Sequence, residues 1–418
     1  MTQNPVASNI LSLADRYATS DELILVLNCG SSSIKFALFD AGQKPLPRTP
    51  AWNGKVQDIG GPNATFGETG VEPAPVQLDA KQPYHAALRH IRDRVAARMG
   101  ERKLAAIVHR VVHGGSKYTQ PVRIDAQVLA DLRNLIPLAP LHQPFALEAM
   151  QVLLEQRPDM PQVACFDTAF HHTLPQVEQM LALPHVAYER GMKRFGFHGL
   201  SYEYMSVALP ERHGDRARGK IIVAHLGSGA SLCGLQDSKS VATTMGFSAL
   251  DGLMMGTRCG SVDPGALIYL MEVEKLSLER VGHALYHESG LLGVSGLSSE
   301  PRVLLAHEND PGIAGDRVRS ALKLYIHRIV REIGAMATTM GGLDLLVFTA
   351  GIGEHSAPIR QRIVDGLSLF GIKLDARANE ANAPVISSAD SAITVAVEPT
   401  NEEWVAAQHA LALMNLHK

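Results

Sequence analysis

The sequence predicts an α/β protein built from two similar domains with a cleft between them. Three observations support this fold class. Apolar runs typical of strands alternate along the chain with amphipathic segments typical of helices. Two similar hairpin sequences, each with a glycine-containing turn, begin at residues 23 and 220. A length of 418 residues is sufficient for two or three domains of ordinary size.

The paired hairpins are the strongest of these signals. They read LILVLNCGSSSIKFALFD over residues 23–40 and KIIVAHLGSGASLCGLQD over residues 220–237. Two unrelated hairpins that both need a turn glycine remain an alternative. Aligned without a gap, the hairpins share six identities: Ile24 with Ile221, Val26 with Val223, Gly30 with Gly227, Ser31 with Ser228, Leu38 with Leu235 and Asp40 with Asp237.

Each hairpin turn is also a candidate anion site. Successive backbone N–H groups converge in a Gly/Ser turn, and no large side chain blocks a ligand there. Two such turns that face a common cleft suit a polyphosphate.

The remaining elements follow from periodicity and from turn residues. Strands and loops are predicted for residues 41–84, and a helix for residues 85–100 that ends at a glycine. Apolar strands are predicted around residues 104–109 and 162–166, and a long amphipathic helix over residues 317–340. A buried strand running into a glycine-rich turn is predicted at 343–356, and a C-terminal helix after residue 402.

Composition excludes several classes of function. The chain is 46% hydrophobic and 19% charged, with a net charge of −3, and it has no local basic patch. A nucleic-acid partner is therefore not expected. The sequence has neither an 18-residue apolar run nor a secretory leader, and its four widely spaced cysteines suit a reducing compartment. We therefore expect a cytoplasmic protein with no membrane partner.

Two near-matches to phosphate-binding motifs fail on inspection. The segment GDRARGKI at 214–221 places Ile221 where a P-loop needs a hydroxyl, and it precedes a strand instead of following one. The segment GIGEHS lacks the third glycine of a dinucleotide-binding turn. Gly351 and Gly353 still fit a close approach of the backbone to a ligand, although a plain tight turn is the alternative.

Four polar residues stand at predicted strand ends or in glycine-rich segments. They are Arg110, Asp167, His198 and Arg258. Each alone could be structural. Together they supply two permanent cations, an acid and an imidazole beside two anion-binding turns. This set suits phosphoryl transfer, in which positioning and charge neutralisation do most of the catalysis.

Nine ordered motifs give the chain a resemblance to the acetate/propionate kinase family, within the sugar kinase, heat-shock protein and actin superfamily. The resemblance covers roughly residues 23–415. The motifs are LVLNCGSSSIKFALFD, HRVVHGG, PLHQP, FDTAFHHTLP, RFGFHGLS, HLGSGASL, MGFSALDGLMMGTRCGSVDPG, TAGIGEHS and PTNEE.

The resemblance implies two duplicated actin-like (ribonuclease H-like) domains with a nucleotide cleft between them. Residues 1–21 would be an extension. Residues 22–168 with 403–418 would form an N-terminal domain on the carboxylate side, and residues 169–402 a C-terminal domain on the nucleotide side. The implied reaction is the reversible, Mg²⁺-dependent, in-line transfer of the ATP γ-phosphoryl group to acetate. Propionate or sugar phosphorylation is the alternative, Mn²⁺ is the alternative ion, and a homodimer is implied.

The resemblance also assigns roles to individual residues. Catalytic roles fall on Asp167, His198 and Arg258, the last stabilising the transferring phosphoryl group. Substrate binding falls on Arg110, which would clamp the carboxylate, and on Val112, Leu141, His142 and Phe197. The metal would be held by Asn28 and Glu402, with Glu403 as the one-residue alternative. ATP binding falls on Ser31, Ser33, Lys35, His225, Leu226, Gly227, Ser228, Gly229, Glu300, Pro301, Arg302, Gly351, Ile352, Gly353, Glu354 and His355.

The chemistry of the reaction narrows the role of Asp167. A small carboxylate is already ionised at pH 7 and needs no general base to attack phosphorus. We therefore expect Asp167 to orient an arginine or metal-bound water, while proton transfer stays an alternative.

The chain departs from the family pattern at several positions. Ser228 stands in place of asparagine, Tyr202 in place of histidine and His355 in place of asparagine, and the 300–302 segment also differs. These changes leave nucleotide preference open. Ala249 stands where acetate kinases typically have proline, and it would join Val112, Leu141 and Phe197 around the substrate methyl. Because alanine is smaller than proline, the pocket around the methyl should have room for one more carbon, and we expect propionate to be a good substrate.

Three functions compete at this point. A carboxylate kinase fits the arginine pair. A non-catalytic nucleotide-driven module would not need Arg110, His198 and Arg258. A sugar or polyol kinase would need an aspartate base beside a neutral hydroxyl and no arginine clamp.

Overall fold

The computed structural model describes residues 22–140 and 142–414, and it divides into two compact units. The described residues up to Ala169 and from Asn401 onward form the first unit, and Phe170–Thr400 form the second. The predicted division differs slightly, because it placed Ala169, Asn401 and Glu402 in the second unit. The predicted extension 1–21, the predicted substrate residue Leu141 and residues 415–418 lie outside the described residues.

The first unit is built on an eight-stranded sheet of order β5-β4-β3-β2-β1-β6-β8-β7. Strands β1, β6 and β8 run parallel, and the other neighbours pair antiparallel. The strands are β1 Glu22–Cys29, β2 Ser33–Asp40, β3 Trp52–Gln57, β4 Thr65–Glu68, β5 Val71–Pro75, β6 Lys103–Val111, β7 Val122–Arg123 and β8 Gln162–Phe166.

Within the described residues, four α-helices accompany this sheet. They are α1 Pro83–Met99, α2 Ala126–Arg133, α3 Gln143–Gln156 and the C-terminal helix Glu402–Leu413, and a 3₁₀ turn spans Ile136–Leu138. The predicted helix at 85–100 is confirmed, and it ends at Gly100 with a φ of 60°. The C-terminal helix packs on β1, β2, β6 and β8. Its first turn therefore lies over the strands that carry the predicted metal and substrate residues.

The second unit is built on a five-stranded sheet of order β11-β10-β9-β12-β13. Its strands are β9 Lys220–Leu226, β10 Ala230–Gln236, β11 Lys239–Thr243, β12 Leu345–Thr349 and β13 Thr394–Val397. Its helices are α4 Gln176–Gln179, α5 His185–Glu189, α6 Gly199–His213, α7 Pro264–Glu272, α8 Leu278–His287, α9 Gly290–Ser295, α10 Pro301–His307, α11 Gly312–Thr339, α12 Ala350–His355, α13 Ala357–Asp365 and α14 Ala376–Glu380, with 3₁₀ turns at Ala169–Thr173, Gly214–Arg218 and Ser368–Phe370; the C-terminal helix of the first unit becomes α15.

The two sheets share one topology. The order β3-β2-β1-β6-β8 in the first unit repeats as β11-β10-β9-β12-β13 in the second. In both, a three-strand antiparallel meander continues into two strands parallel to the first strand of the hairpin. The predicted duplication and the α/β fold class are therefore confirmed.

The ungapped alignment of the hairpins is wrong along their second strands. In the first hairpin Cys29 pairs with Ile34 and leaves four turn residues, whereas Leu226 pairs with Ala230 and leaves three. Ile24 pairs with Phe39, and the equivalent Ile221 pairs with Leu235. The predicted matches of Leu38 with Leu235 and of Asp40 with Asp237 are thus one residue out of register.

The glycine-rich segment after β12 is a short helix and not the predicted turn. The sharp change of direction falls on Ala350, which has a φ of 64°, and the helix α12 follows at once. The Ala350 N–H donates to Glu354 Oε1 at 2.8 Å, so a side chain of the helix satisfies its own first turn. Among the described residues, no helix is both long and apolar enough to cross a membrane.

Candidate active site

The first unit gathers functional side chains at the carboxyl ends of its parallel strands. Leu27 of β1 is in register with His109 of β6, and Arg110 is in register with Cys165 of β8. Asn28, Arg110 and Asp167 therefore emerge at one edge of the sheet, where ligands of α/β proteins commonly bind. Helix α15 begins at Glu402 and adds its first turn to this edge.

Arg110 joins two carboxylates at this edge. Its Nε and Nη2 donate to Asp167 Oδ1 and Oδ2 at 2.9 and 2.7 Å, a bidentate pair. Its Nη1 lies 2.8 Å from Glu402 Oε2. Three of the five guanidinium N–H groups are thus directed at carboxylates, and two remain for a further acceptor. The Asp167 carboxylate is 2% exposed, so this pair is sheltered from water.

The charges of this cluster are strongly coupled. Burial, with smaller contributions from the carboxylates of Asp167 and Glu403, raises the pKa of Glu402 to about 7 against the opposing effects of Arg110 and Lys35. Burial alone would lower the pKa of Arg110, but Asp167 and Glu402 together raise it above its usual range. Arg110 therefore stays charged, while Glu402 is poised to lose its proton near neutral pH.

The predicted metal ligands provide oxygen donors of the kind that Mg²⁺ prefers. Asn28 lies opposite Lys35 in the β1–β2 ladder, and Glu402 lies on the same edge of the sheet. The described residues contain no group of three His, Cys, Asp or Glu side chains that could hold an ion by themselves. The donor set instead fits the usual Mg²⁺ arrangement of one or two protein ligands with substrate phosphates. The neighbouring Asn401 side chain has other hydrogen-bond partners: it caps α15 and donates to the Arg48 carbonyl.

The first hairpin turn is exposed. Ser31 is exposed and Ser33 is half-buried, and the Gly30 N–H donates to the Ser33 carbonyl at 2.8 Å. Lys35 follows on β2 with an exposed side chain, and its charge lowers the pKa of Glu402. The turn and its lysine thus form an accessible cationic surface beside the carboxylates.

The second unit holds a histidine pair beside its own hairpin turn. His198 precedes α6 with a left-handed backbone, φ 58° and ψ 25°, a conformation uncommon for a non-glycine residue. Its ring stacks on that of His225, with centroids 4.1 Å apart and planes 14° apart. His198 Nδ1 lies 2.8 Å from Ser231 Oγ, and His225 Nδ1 lies 2.9 Å from Ser201 Oγ.

Gly229 brings the backbone of the second turn close to His198 and Arg258. A Cβ at Gly229 would lie 2.5 Å from Arg258 Nη2 and 3.3 Å from His198 Nε2. The guanidinium and the imidazole therefore lie against the same backbone position. Only a residue without a side chain leaves both in place.

Arg258 is a half-buried cation without an acidic partner among the residues that the structure describes. Its Nη1 donates to the Ala249 carbonyl at 2.6 Å, and burial lowers its pKa to about 10. A sheltered guanidinium bound only to a carbonyl is well suited to receive an anionic ligand. Ala249 therefore positions Arg258 through its backbone, a role that the sequence did not reveal.

Three of the predicted nucleotide-binding segments, those at 225–229, 300–302 and 351–355, lie next to one another in the second unit. A Cβ at Gly227 would lie 3.7 Å from the Ala350 Cβ, which brings the turn after β9 next to α12. The Gly256 N–H donates to the Ser228 carbonyl, and a Cβ at Gly256 would lie 3.3 Å from Ser299. The segment Glu300, Pro301 and Arg302, at the start of α10, thus lies beside the same turn. Leu226 is buried in β9 and contributes backbone only.

Two predicted ATP-binding residues, Glu354 and Gly353, have contacts within the second unit. Glu354 Oε1 accepts from the N–H groups of Ala350 and Thr400, so its carboxylate is turned inward. Gly353 packs against β12, because a Cβ there would lie 3.4 Å from the Phe348 backbone. Gly351 has open space around it, Ile352 is half-buried, and His355 is exposed. Of this segment, Gly351 and His355 are the residues most accessible to a ligand.

The predicted methyl pocket divides between the two units. Val112 and His142 belong to the first unit, and both are half-buried. Phe197 and Ala249 belong to the second, and both are buried. The Phe197 carbonyl lies 2.9 Å from His171 Nε2, so its backbone is held in place. A pocket formed by all of these residues stays a prediction.

Sequence reasoning missed two residues that hold the site. Ser231 lies between Tyr202 and His198, and its only sequence signal is its place in the motif HLGSGASL. Arg360 is fully buried, and it donates to the carbonyls of Gly353 and Glu354 and to Asn379 and Asn382. Nothing in the spacing of the chain distinguishes Arg360 from the neighbouring surface arginines.

Comparison with known proteins finds relatives over nearly the whole chain. The family model described as the acetokinase family matches residues 23–408. An acetate kinase of Rhodopseudomonas palustris is 43% identical over 397 residues, covering 94% of this chain and 98% of that protein. An acetate kinase of Methylocella silvestris is 44% identical over 403 residues, with the same coverage.

Solved structures agree at the level of the fold. A propionate kinase from Francisella tularensis gives a TM-score of 0.84 at 34% identity, covering 93% of this chain and 98% of that one. The acetate kinase of Porphyromonas gingivalis gives 0.81 at 35% identity, covering 95% and 100%. The resemblance inferred from the motifs is confirmed: the chain belongs to the acetokinase family.

Proposed function

We propose that this protein is an acetate kinase, which transfers the γ-phosphoryl group of ATP reversibly to acetate and yields acetyl phosphate and ADP. The observation that carries the proposal is Arg258. Its half-buried guanidinium lies beside His198 against a glycine turn, and its one hydrogen bond among the described residues is to the Ala249 carbonyl. The similarity to acetate kinases over nearly the whole chain supports the same conclusion.

The main obstacle to this reaction is the meeting of two anions. Acetate is ionised at neutral pH, so the enzyme needs cations more than a base. Arg258 and His198 would stabilise the transferring phosphoryl group, and the two unused N–H groups of Arg110 would hold the acetate carboxylate. We propose that both sets of residues act on one pair of substrates.

Asp167 acts in this proposal by orienting Arg110. The bidentate pair uses both carboxylate oxygens of Asp167 on a guanidinium that stays charged. This geometry supports the orienting role over proton transfer, since a carboxylate bound on both oxygens by arginine is a weak base.

A divalent metal would be held by Asn28 and Glu402, with Glu403 beside them. When bound, Mg²⁺ neutralises phosphate charge and stabilises the leaving ADP. Lys35 and the exposed turn at Gly30 would add to the binding of the phosphates. Mn²⁺ has similar ligand preferences and would serve as a substitute.

Propionate is the second candidate substrate. Ala249 presents a small side chain near Arg258, and one of the matching structures is a propionate kinase. An added methylene that fills apolar space gains about 1–3 kcal/mol. We therefore expect kcat/KM for propionate to lie within about tenfold of that for acetate.

A hydroxamate trap tests both assignments in one experiment. The enzyme is supplied with MgATP and acetate, propionate, butyrate or a hexose, and acyl phosphate is captured with hydroxylamine. Hydroxamate from acetate and propionate supports the proposal. ADP release that depends on the hexose, with no hydroxamate, would indicate a sugar kinase. Propionate activity a hundredfold below that of acetate would contradict the role given to Ala249.

We further propose that the enzyme is a cytoplasmic homodimer. Cys29, Cys233 and Cys259 are free thiols, as expected in a reducing compartment. Helix α7 has no buried residue, and Ile268, Tyr269 and Leu278 are 55%, 53% and 74% exposed. Exposed apolar groups of this size are typical of an interface. Light scattering of the wild-type chain and of an Ile268→Asp/Leu278→Asp variant tests this, and a wild-type monomer would contradict it.

A further inference from the structure

A buried hydrogen-bonded chain leads from α6 to His198. The Tyr202 hydroxyl lies 2.5 Å from Ser231 Oγ, and Ser231 Oγ lies 2.8 Å from His198 Nδ1. Tyr202 and Ser231 are both fully buried. A chain of this kind fixes the ring orientation of a histidine and the position of its proton.

The surroundings of His198 disfavour a positive charge on its ring. Arg258 Nη2 and His198 Nε2 lie against the same Gly229 backbone. The ring of His225 is stacked on that of His198 with centroids 4.1 Å apart, and two face-to-face imidazolium rings would repel each other. Tyr202 lies edge-on to His225, and His171 lies edge-on to Tyr202. His171 adds no positive charge, because burial lowers its pKa to about 4.

A neutral imidazole carries one proton, and the chain selects its nitrogen. A phenol is a stronger acid than an aliphatic hydroxyl, so Tyr202 is the better donor to Ser231. Ser231 then donates to His198 Nδ1, and the ring proton is left on Nε2. That nitrogen lies beside Gly229 and Arg258, where the proposed function places an anion.

We propose that Tyr202 is a positioning residue that acts through Ser231 to hold His198 neutral, with its proton on Nε2 as a donor to the phosphoryl group. The inference rests on the proposed function for the identity of that group. The link from Tyr202 to the His198 tautomer is independent of it.

The test compares two tyrosine variants that each lose only a hydroxyl. Tyr202→Phe removes the donor at the end of the chain. Tyr325→Phe is the matched control, because Tyr325 is also fully buried in the second unit and its hydroxyl has no partner among the described residues. We expect kcat to fall at least about tenfold for Tyr202→Phe. Both KM values should stay within about twofold, and Tyr325→Phe should leave kcat unchanged.

Two further measurements separate positioning from a structural role. ¹⁵N NMR of histidine-labelled enzyme reports which ring nitrogen of His198 carries the proton, with His198→Asn used to assign the signal. The Nε2–H form should dominate in the wild type and in Tyr325→Phe, and it should lose population in Tyr202→Phe. Ser231→Ala should reproduce the loss of kcat, and Tyr202→Phe/Ser231→Ala should be no worse than Ser231→Ala alone.

The outcomes are distinguishable. An unchanged ¹⁵N spectrum and unchanged kcat in folded Tyr202→Phe would overturn the inference, as would fully additive effects of the two substitutions. A wild type without acetate-dependent activity would remove the proposed function, while the NMR result would still decide whether Tyr202 controls the tautomer. Tyr202→His should retain more activity than Tyr202→Phe, because an imidazole can also donate to Ser231.

Discussion

At the scale of single residues, the absence of a side chain at Gly229 leaves room for both His198 and Arg258 beside the same turn. A methyl group at this position would lie 2.5 Å from Arg258 Nη2, so Gly229→Ala must displace the guanidinium. We expect kcat to fall by about 10²-fold or more, since one misplaced charge donor costs this much. Gly334→Ala is the control, because a side chain there meets open space on α11. Steady-state kinetics should show no loss for Gly334→Ala, and melting should show a gain of about 0.5–1 kcal/mol.

Alanine substitutions of the two predicted active-site arginines, Arg110 and Arg258, should change kcat, KM and stability differently. Arg258→Ala removes a charge that would stabilise the transferring phosphoryl group, so kcat should fall about 10²-fold or more. Stability should change little, because the substitution leaves no carboxylate without its ion-pair partner. Arg110→Ala should chiefly raise KM for acetate. It also leaves Asp167 and Glu402 unpaired, which costs about 3–5 kcal/mol of folding free energy. Kinetics and thermal melts of both variants check this, and identical changes in the two would contradict the division of roles.

Glu402 should make metal use depend on pH. Its pKa is raised to about 7, so the carboxylate is lost as a ligand when the pH falls through 7. The KM for Mg²⁺ should therefore rise on acidification in the wild type. Glu402→Gln should have a high KM for Mg²⁺ at every pH, because its side chain does not titrate. Any pH dependence that remains in this variant comes from the titration of ATP, so the variant is the control. Equal pH dependence in both proteins would exclude Glu402 from the metal site.

The same pKa has a consequence for stability in the absence of metal. The folded-state pKa lies above the usual 4.5, so the unfolded chain binds fewer protons between these values. Stability from this group is therefore present below about pH 4.5 and is lost as the pH rises towards 7.

At the scale of elements, α13 contains two arginines with very different expected effects. Arg360 is fully buried and satisfies the carbonyls at the end of α12, while Arg362 is half-exposed and pairs with Glu308. Arg360→Met should cost at least about 3 kcal/mol and lower Tm by roughly 5–10 °C. Arg362→Met should cost no more than about 1 kcal/mol. Thermal melts compare them, and equal Tm losses would show that Arg360 does not support α12.

Local sequence patterns predicted most of the elements but not their exact pairing. Periodicity and a C-terminal glycine suffice for α1, and alternation suffices for the hairpins, because these signals lie within one element. The predicted alignment of the two hairpins is wrong along their second strands, because their turns differ in length by one residue. The helix α12 was missed because its first turn is satisfied by its own Glu354, a contact that a glycine-rich sequence conceals.

For the site, too, the sequence indicated candidate residues but not their contacts with residues far away in the chain. Arg110, Asp167, His198 and Arg258 were found as polar residues at strand ends and in glycine-rich segments, and their family motifs gave them roles. That Arg110 bridges Asp167 and Glu402 could not be predicted, because the three lie far apart in sequence and meet only through the sheet and α15. Ser231 and Arg360 were missed for the same reason, since their partners are tertiary.

At the scale of the whole molecule, the repeated five-strand topology gives each unit its own glycine-containing hairpin turn, and each unit has its own candidate arginine. The first unit supplies Arg110 with two carboxylates, and the second supplies Arg258 with a histidine pair. A duplicated fold that has diverged in this way suits a reaction with two anionic substrates. The central claim is that these residues serve one phosphoryl transfer from ATP to a carboxylate.

The most direct test is ³¹P NMR of the wild-type enzyme with ATP, Mg²⁺ and acetate, followed in time without a trapping agent. The account predicts that acetyl phosphate and ADP appear in equal amounts, that both need acetate, and that added ADP and acetyl phosphate regenerate ATP. Release of ADP with inorganic phosphate alone, at a rate independent of acetate, would contradict it.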